Sequence, residues 1–501
     1  MLKLRVSLAS LVVLGWVAAV QAQDLRTLFG THQPGFNVSL VLPGDPAFAN
    51  DTRPFNLRFD FEPAAVAFPA TAQEVSKVIK LGQLVNHQVV ARSGGHSYIA
   101  NALGGKDGAI VIDMRNFQAI TVDDTAGTAV IEVGNRLGDI ISALAAHGRG
   151  LPHGTCPYVG FGGHAAYGGF GFTSRLWGLT VDAILSIDVV LANGTITTVS
   201  EKNHPDLFFA LRGSGASFGI ATAYTMRTFP APPTATIFSY NWQFTASGAA
   251  AFLASYQSFV LSTPLPPTFG AEIVITPGNV QGNVSIGLAG GWYAPLDQLN
   301  STLGPFFATV PAPRAMSFDT GDYLHSAINL AGGSLDTKDQ PDNTDTFYAK
   351  SLMTPQGAPM SGKALQAFMD VVANEGFTTD VGWFFQAELF GGRNSAINAV
   401  KTGATAFSRR DSLFTIQFYA SSKGNVPPYP ESGFTFLDHV VNSIVDNSPP
   451  NWDYGAYTNY IDDRLIDWQR RYYSTNYPRL RRLKDLYDPR GTFTFPTSIQ
   501  V

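Results

Sequence analysis

Between residues 56 and 229 the hydrophobic positions follow two spacings, one typical of strands and one typical of helices. The pattern predicts strands at 64–68, 88–91, 109–113, 119–122 and 128–133, helices at 72–82 and 137–147, and a hairpin of strands 184–191 and 195–200. The Asn193-Gly194 pair is typical of the tight turn that joins such hairpin strands. This region is therefore expected to mix helices with strands.

Proline clusters divide the rest of the chain. The segment 230–233 interrupts the first pattern, and Pro449-Pro450 closes the next one. Between them the spacing predicts strands at 269–276 and 284–290 and a helix at 362–373. A basic helix is predicted at 468–486. We expect this helix to pack on the first domain. We interpret its positive charges as a solvated helix surface, rather than as a nucleic-acid face.

The composition is that of an ordinary, rather apolar globular protein. The chain has 501 residues, of which 45% are hydrophobic and 14% are charged, so neither a fibrous nor a disordered chain is indicated. Its formal net charge of -5 supplies no electrostatic attraction for nucleic acid or for an anionic membrane. We expect neither as a partner, and we expect a monomer.

The first 22 residues have the pattern of a secretory signal peptide. Lys3 and Arg5 precede an apolar run at 9–20, and residues 20–22 fit a small-residue cleavage site. That run is too short to span a bilayer, and no later stretch offers roughly 20 uninterrupted apolar residues. We therefore expect a secreted, extracellular protein. Five triplets fit the glycosylation acceptor pattern, at Asn37, Asn50, Asn193, Asn283 and Asn300.

The single cysteine, Cys156, lies in an unusual segment. Secreted proteins normally use cysteines in pairs, so a lone one is either buried and inert or chemically employed. Residues 154–171 contain seven glycines in 18 positions, a density that a backbone lying against a flat cofactor explains better than core packing does. The surroundings of Cys156 therefore favour a chemical role.

A second glycine-rich loop, at 92–98, directly follows a predicted strand. Consecutive glycines allow backbone N–H groups to approach an anion closely, as phosphate-binding loops do. Neither loop has the spacing of the dinucleotide fingerprint or of the P-loop. His153 and His164 have no second cluster of ligands at metal spacing, so we expect no metal site and interpret both as structural or close to a cofactor.

The two loops resemble those of the vanillyl-alcohol oxidase and p-cresol methylhydroxylase superfamily, in its berberine-bridge-enzyme-like branch. Further matching segments follow in the family's order, at 204–213, 215–221, 457–462 and 487–493. The resemblance implies an α+β protein of two domains. A p-cresol-methylhydroxylase-type FAD domain comprises 23–230 and 450–501, and a substrate domain with an antiparallel sheet and flanking helices comprises 231–449.

In that branch the histidine of the first loop bonds the 8α-methyl group of the flavin, and the cysteine of the second loop bonds carbon 6. The resemblance therefore implies FAD held covalently by His96 and Cys156. The other residues that it places at the cofactor are Arg92, Ser93, Gly94, Gly95, Ser97, Gly154, Gly160, Gly163, His164, Gly168, Gly169, Gly219, Ile220, Tyr457 and Asn459.

Within the branch, segments 154–157, 382–388, 391–395 and 429–434 are similar to fungal oligosaccharide oxidases. Those enzymes oxidise the reducing-end C1 hydroxyl of gluco-, cello-, chito- or xylo-oligosaccharides. The resemblance implies a lactone as product, with dioxygen reduced to hydrogen peroxide. Two alternatives remain open. One is an oxidase of the same branch that acts on an alkaloid, terpenoid or aromatic alcohol, and the other is a secreted carbohydrate-binding protein without catalysis.

The same resemblance assigns the reacting residues. Tyr460 falls where these oxidases place the base that removes the proton of the sugar C1 hydroxyl. Its acidic partner, an aspartate in the best-known pattern, is Glu388 here. The substrate-groove positions are Tyr98, Thr155, Glu272, Tyr323, Phe384, Gln386 and Arg393. Phe384 stands in place of a stacking tryptophan, a change that we expect to alter sugar preference.

Overall fold

The computed structural model describes residues 25–27, 38–338 and 342–501. The strands, labelled β1 to β18, are Ser39–Val41, Ala65–Phe68, Val89–Arg92, Ile110–Asp113, Ile120–Asp123, Thr128–Glu132, Arg149–Gly150, Ile184–Leu191, Ile196–Ser200, Gly219–Arg227, Phe229–Pro230, Ala235–Thr245, Phe269–Pro277, Asn283–Trp292, Ala315–Gly321, Phe347–Pro355, Gly382–Leu389 and Ser412–Ser421. The helices, labelled α1 to α14, are Phe48–Asp51, Ala72–Leu84, Leu137–Ala145, Phe161–Tyr167, Ser174–Trp177, Pro205–Leu211, Ala246–Ser262, Asp297–Phe307, Tyr323–Leu330, Gly362–Thr378, Ala396–Ala399, Glu431–Val445, Trp468–Tyr473 and Tyr477–Tyr487. The signal peptide expected at 1–22 and the acceptor Asn37 lie outside the described residues. Within them, no helix combines the length and apolarity that a membrane crossing requires.

Two main sheets are built from the first part of the chain, besides a two-stranded pairing of β7 with β11. The smaller has the strand order β1-β2-β4-β3, with β2, β4 and β3 parallel and β1 antiparallel at the edge. Its inner strand β4 is buried at every position, as expected for a parallel strand covered on both faces. The larger is antiparallel, in the order β5-β6-β10-β8-β9. The strands and helices predicted up to residue 200 are confirmed, with ends that shift by one or two residues.

The second part of the chain forms a seven-stranded antiparallel sheet in the order β15-β12-β14-β13-β17-β18-β16. The long helices α7, α10 and α12 cover one face of this sheet, and their apolar residues share its core. Helix α7 begins at an N-cap, because the Thr245 hydroxyl accepts a hydrogen bond from the Gly248 N–H. The predicted α+β fold is confirmed, including an antiparallel sheet with flanking helices.

The predicted basic helix at 468–486 is wrong as a single element. The structure divides it into α13 and α14, with a short 3₁₀ turn at Ser474–Asn476 between them. Ser474 has φ of 46°, a left-handed conformation that a continuing α-helix excludes. Pro478 lies in the first turn of α14, the helical position where its absent N–H costs no hydrogen bond. The prediction overlooked this proline.

The last part of the chain returns to the first sheets. Tyr457, Leu480 and Phe493 are buried in the same hydrophobic cluster as the strands β4 and β8. The Val89 N–H at the start of β3 donates to the Thr492 carbonyl at 3.0 Å. The segment therefore belongs to the core of the first sheets, while the predicted boundaries after residues 230 and 449 stay predictions.

One buried arginine joins the first part of the chain to the seven-stranded sheet. Arg175, in α5, is 1% exposed. Its guanidinium donates to four backbone carbonyls, those of Pro266, Phe269, Gly391 and Arg393, at 2.6 to 3.1 Å. Because an unpaired buried charge is costly, these bonds fix the ends of β13 and β17 against α5.

Candidate active site

A cavity of about 890 Å³ lies where the three parts of the fold meet. The loops 93–98 and 154–164 line one side, and the uncovered face of the seven-stranded sheet lines another. Residues 457–461 of the returning segment complete the wall. The volume is in the upper range for a small-molecule site, large enough for a bulky cofactor and a substrate together.

The two glycine-rich loops pack directly against each other. A Cβ on Gly160 would lie 2.0 Å from the Gly94 nitrogen, and one on Gly94 would lie 2.5 Å from the Gly160 nitrogen. Any side chain at either position would therefore separate the loops. The Ser93 hydroxyl fastens the contact, since it donates to the Val133 carbonyl at 2.6 Å and accepts from the Gly162 N–H at 3.2 Å.

His96 and Cys156 both line this cavity, one on each loop. The His96 ring stacks on Phe55 with centroids 4.1 Å apart. Cys156 is exposed to the cavity, and its sulfur accepts hydrogen bonds from the backbone N–H groups of Tyr158 and Val159. Burial raises the pKa of the Cys156 thiol, and these two hydrogen bonds oppose the rise because they stabilise the thiolate.

Successive residues of a β-strand face opposite sides of its sheet, and in the large sheet one side is the core and the other is the cavity. On β17 the odd positions 383, 385, 387 and 389 enter the helix-covered core, so the even positions face the cavity. Those even positions are Phe384, Gln386 and Glu388, and on β13 Glu272 pairs with Glu388 in register. Four predicted site residues therefore share one patch of the sheet.

Tyr460 and Glu388 are in direct contact. The Tyr460 hydroxyl donates to Glu388 Oε1 at 2.5 Å, across 72 residues of sequence. The second oxygen, Oε2, is buried without a hydrogen-bond partner among the described residues. The hydrogen bond to Oε1 is therefore short and strong, whereas Oε2 is still available as an acceptor.

Burial controls the protonation of these groups. It raises the pKa of Glu388 well above the usual carboxyl value, while the hydrogen bond from Tyr460 opposes the rise and the Glu272 carboxylate adds to it. Burial also raises the pKa of Tyr460, and the neighbouring Glu388 carboxylate raises it further. The pKa of Glu272 is raised by burial to about 7, although its hydrogen bonds from Gln386 lower it.

Tyr98 forms the side of the cavity next to this pair. Its ring stacks on that of Tyr460, with centroids 6.0 Å apart and an interplanar angle of 11°. Its hydroxyl accepts a hydrogen bond from Gln417 Nε2 at 2.8 Å. An aromatic ring and an amide held in this way offer a stacking surface and a hydrogen-bonding group beside Tyr460.

His164 supports the second loop as a neutral ring. Its Nε2 accepts a hydrogen bond from the Gly154 N–H at 3.2 Å, which a protonated imidazole cannot do. Burial lowers the pKa of His164 to about 3, and the neighbouring His153 contributes. The structural interpretation of this histidine, close to the cavity wall, agrees with its contacts.

Two family descriptions match this chain: FAD binding domain over residues 63–200, and berberine and berberine-like over residues 456–500. The xylooligosaccharide oxidase of Thermothelomyces thermophilus is 35% identical over 462 residues, 90% of each chain. The glucooligosaccharide oxidase of Sarocladium strictum is 33% identical over 504 residues, 99% of this chain and 97% of the relative. The chain belongs to the berberine-like family of FAD-dependent oligosaccharide oxidases.

A solved structure agrees with this assignment. The glucooligosaccharide oxidase from Acremonium strictum, which carries a 6-S-cysteinyl, 8α-N1-histidyl FAD, is 31% identical and has a TM-score of 0.87. The match covers 95% of this chain and 99% of the solved one. The resemblance expected from the sequence is confirmed.

The cavity of this oxidase fits FAD in several independent respects. A Cβ on Gly163, which lines the cavity, would meet no atom within 4 Å, so the glycine leaves free space for a flat group. Asn101 Oδ1, also at the wall, is buried without a partner among the described residues. His96 and Cys156 supply an imidazole and a thiol, the two nucleophiles that covalent attachment needs.

Most of the predicted site residues line this one cavity. They are Ser93, Gly94, Gly95, His96, Ser97, Tyr98, Gly154, Thr155, Cys156, Gly160, Gly163, His164, Gly219, Glu272, Phe384, Gln386, Glu388, Tyr457, Asn459 and Tyr460. Gly168 and Gly169 lie directly behind it, where the Gly169 N–H donates to the Tyr457 hydroxyl at 3.0 Å. The structure thus collects residues from both loops, the large sheet and the returning segment.

Besides Gly168 and Gly169, four predicted residues do not line the cavity. Tyr323 lies behind it, with its hydroxyl 2.9 Å from His153 Nε2, and Arg393 is exposed at the surface. Arg92 points toward Asp113, with an ion pair at 3.8 Å, and Ile220 is buried in the core. The roles predicted for Tyr323 and Arg393 at the substrate, and for Arg92 and Ile220 at the cofactor, therefore stay predictions without support from the cavity lining.

Several cavity residues were not predicted from the sequence. On β18, Gln417 and Tyr419 face the same side as Glu388, because Gln417 pairs in register with Gln386 and Tyr419 with Phe384. Asp342 and Asp345 reach the cavity from the segment that precedes β16. A signal for the β18 residues existed, since Gln417 and Tyr419 lie two positions apart as a strand face requires.

The loop contact gives a testable pair of variants. Gly160→Ala places a Cβ into the Gly94 backbone, so we expect the free energy of unfolding to fall by about 1–3 kcal/mol. Gly163→Ala is the matched control in the same loop. Its Cβ meets no protein atom, so stability should stay within about 1 kcal/mol of wild type while FAD loading falls. Thermal unfolding and the flavin-to-protein absorbance ratio measure both effects, and equal destabilisation by both variants would contradict the packing.

Proposed function

We propose that this chain is a secreted oxidase that converts the reducing-end C1 hydroxyl of an oligosaccharide to the lactone, with reduction of dioxygen to hydrogen peroxide. The observation that carries the proposal is the hydrogen bond between Tyr460 and Glu388 at the wall of a cavity that both attachment residues also line. The relatives named above are oligosaccharide oxidases, which supports this function over an aromatic or alkaloid substrate and over a non-catalytic binding protein.

The residues of the chain handle the proton of the sugar. The Tyr460 oxygen takes the C1 hydroxyl proton as its own proton moves to Glu388 Oε1, 2.5 Å away. Because burial raises the pKa of both groups, a negative charge on either group is costly, and the two groups share a single negative charge. The chemistry that FAD would supply when bound is to accept the C1 hydrogen with its two electrons and to pass these electrons to dioxygen.

The sugar is positioned by the patch on the large sheet. Gln386 Nε2 donates to both oxygens of Glu272 at 3.0 Å, which orients that carboxylate toward the cavity. Phe384 stacks on Tyr419 with centroids 5.0 Å apart, and the two rings offer a flat surface for a sugar face. Glu272 is thus proposed to accept hydrogen bonds from sugar hydroxyls, and the aromatic pair to stack on a neighbouring ring.

Secretion is part of this proposal. It is supported by the pattern of residues 1–22 and by the exposure of three acceptor asparagines, Asn50, Asn193 and Asn300, whereas Asn283 is half-buried. Intact-mass analysis of protein secreted by a eukaryotic host, before and after enzymatic deglycosylation, tests both points. A mature chain that retains residues 1–22 would contradict it.

The activity test is a panel of reducing xylo-, cello-, chito- and malto-oligosaccharides, with hydrogen peroxide release as the readout. We expect peroxide and an equal amount of the aldonic acid that the lactone yields on hydrolysis. The matched control uses the same sugars after reduction to their alditols, which lack the C1 hemiacetal. Peroxide from the alditols, or none from any reducing sugar, would overturn the proposal.

The covalent bonds to FAD give the next prediction. Wild-type protein should carry FAD after denaturation, through His96 and through Cys156. Cys156→Ala should keep the bond to His96, His96→Ala should keep the bond to Cys156, and the double variant should release its flavin on acid precipitation. Intact-mass spectrometry under denaturing conditions shows whether each protein carries covalent FAD. A wild-type mass without the FAD increment would show that neither bond forms.

Glu272→Gln is expected to weaken sugar binding. Because burial raises the pKa of Glu272 to about 7, its ionised form grows as pH rises through that value, so KM of the wild type should fall over this range. The glutamine variant should lose that pH dependence and raise KM roughly tenfold, with kcat little changed near pH 8. It also removes a charge that raises the pKa of Glu388, so the acid limb of kcat should move to lower pH. A fall in kcat alone would contradict a role in binding.

A further inference from the structure

His96 has a partner that the sequence did not suggest. Its Nε2 lies 2.8 Å from Asp342 Oδ2, across 246 residues of chain. The histidine side chain is 10% exposed and that of Asp342 is 25% exposed, and both line the cavity. Among the residues that the structure describes, His96 is the only basic side chain that pairs with Asp342.

This contact determines which nitrogen of His96 is free. An ionised carboxylate can only accept a hydrogen bond, so Nε2 must be the nitrogen that carries the proton. In a neutral imidazole the lone pair then lies on Nδ1. Stacking on Phe55 fixes the plane of the ring, so the position of Nδ1 is determined as well. Carboxylates orient metal-binding histidines in the same way.

We propose that Asp342 is a positioning residue for FAD attachment, holding His96 as the tautomer whose Nδ1 forms the bond to the 8α-methyl group. This inference rests on the covalent bond of the proposed function. In the balanced reaction the methyl group loses one hydrogen and His96 loses its Nε2 proton, while a carbon–nitrogen bond forms. Dioxygen, the oxidant of the proposed activity, takes the two electrons and two protons and leaves as hydrogen peroxide. The Asp342 carboxylate lies where it accepts the proton from Nε2.

Asp342 should affect the second bond in the opposite direction. Burial raises the pKa of the Cys156 thiol, and the Asp342 carboxylate adds to the rise. Removal of that carboxylate therefore favours the Cys156 thiolate, the form that attacks carbon 6. A residue that merely supported the fold would affect both bonds alike, so the two bonds together separate a positioning role from a structural one.

The test follows each bond by itself. Full-length protein from a riboflavin-limited host is incubated with FAD, and the covalent fraction is read over time by denaturing intact mass. In the Cys156→Ala background, which reports the His96 bond, Asp342→Ala should slow attachment roughly tenfold or more. Asp342→Asn should be intermediate and Asp342→Glu should restore most of the rate. In the His96→Ala background, which reports the Cys156 bond, Asp342→Ala should leave attachment as fast as before or faster.

The fold offers a matched control. Asp319 Oδ1 lies 2.8 Å from His325 Nε2, the same pairing at an exposed site outside the cavity. Asp319→Ala should leave both bonds unchanged. An unchanged His96 bond in Asp342→Ala and Asp342→Asn, or equal slowing of both bonds, would overturn the inference while leaving the oxidase proposal intact. If the Cys156→Ala parent itself carried no covalent FAD, the His96 bond of the proposed function would be wrong, and the inference with it.

Discussion

Tyr460→Phe is expected to slow reduction of the bound flavin by sugar about 10²–10⁴-fold. The substitution keeps the ring that stacks on Tyr98 and removes only the hydroxyl that bonds Glu388 at 2.5 Å. Folding and FAD content should therefore survive. Anaerobic stopped-flow mixing with a good oligosaccharide substrate measures the reduction rate directly, free from any effect on reoxidation by dioxygen.

The matched control is Tyr419→Phe. Tyr419 lies on the same cavity wall, stacks on Phe384, and uses its hydroxyl to bond Asp345 at 2.9 Å rather than Glu388. Loss of that hydroxyl should alter sugar affinity more than the rate of reduction at saturation. Near-normal reduction by Tyr460→Phe would move the base to another group, with Glu388 the next candidate.

Glu388→Gln is expected to lower kcat by roughly 10²-fold near neutral pH, with partial recovery as pH rises. Glutamine keeps the shape of the side chain but cannot take the proton of Tyr460. Since the Glu388 carboxylate is one of the causes that raise the pKa of Tyr460, its removal lets the tyrosine ionise at lower pH than in the wild type. The rate of the variant should therefore increase with pH through the alkaline range.

In the wild type, the rise of kcat with pH should lie in the acid range rather than the alkaline range. Its proton acceptor is ionised Glu388, whose pKa burial holds well above the usual carboxyl value, so activity should fall as pH drops through that raised pKa. Glu388→Asp, which restores the residue of the best-known family pattern, should be much milder than Glu388→Gln. The pH profile of kcat for the three proteins measures this. An identical profile in Glu388→Gln would leave the carboxylate without a part in proton transfer.

The sequence predicted the first sheets well, because their short apolar strands are bounded by turn residues that interrupt the pattern. Strand β4 illustrates this, as it is buried throughout and is followed by polar turn residues. The break between α13 and α14 was readable from Pro478 but was overlooked, since the basic residues on both sides continue the same charge pattern.

The cavity was less accessible to such reasoning. Strand β18 alternates apolar residues with Thr415, Gln417, Tyr419 and Ser421, which indicates two different faces. Because the strand is buried almost throughout, that pattern does not show that its more polar face lines a cavity. Only the pairing of β18 with β17 decides which face they share with Glu388. The contact of Asp342 with His96 joins residues 246 positions apart, and no local pattern records it.

The last of the three chain regions that build the cavity contains residues 457–461. Tyr457 holds Gly169 of the second loop through its hydroxyl, and Asn459 donates to the His164 carbonyl at 3.3 Å. Because these residues lie near the end of the chain, their contacts form only after the ribosome has made almost all of it, and the core beneath them also needs Phe493. We therefore expect flavin loading to be a late event in biosynthesis. A ribosome-stalled chain that ends before residue 456 should emerge without covalent FAD, however much of the first two sheets has already folded.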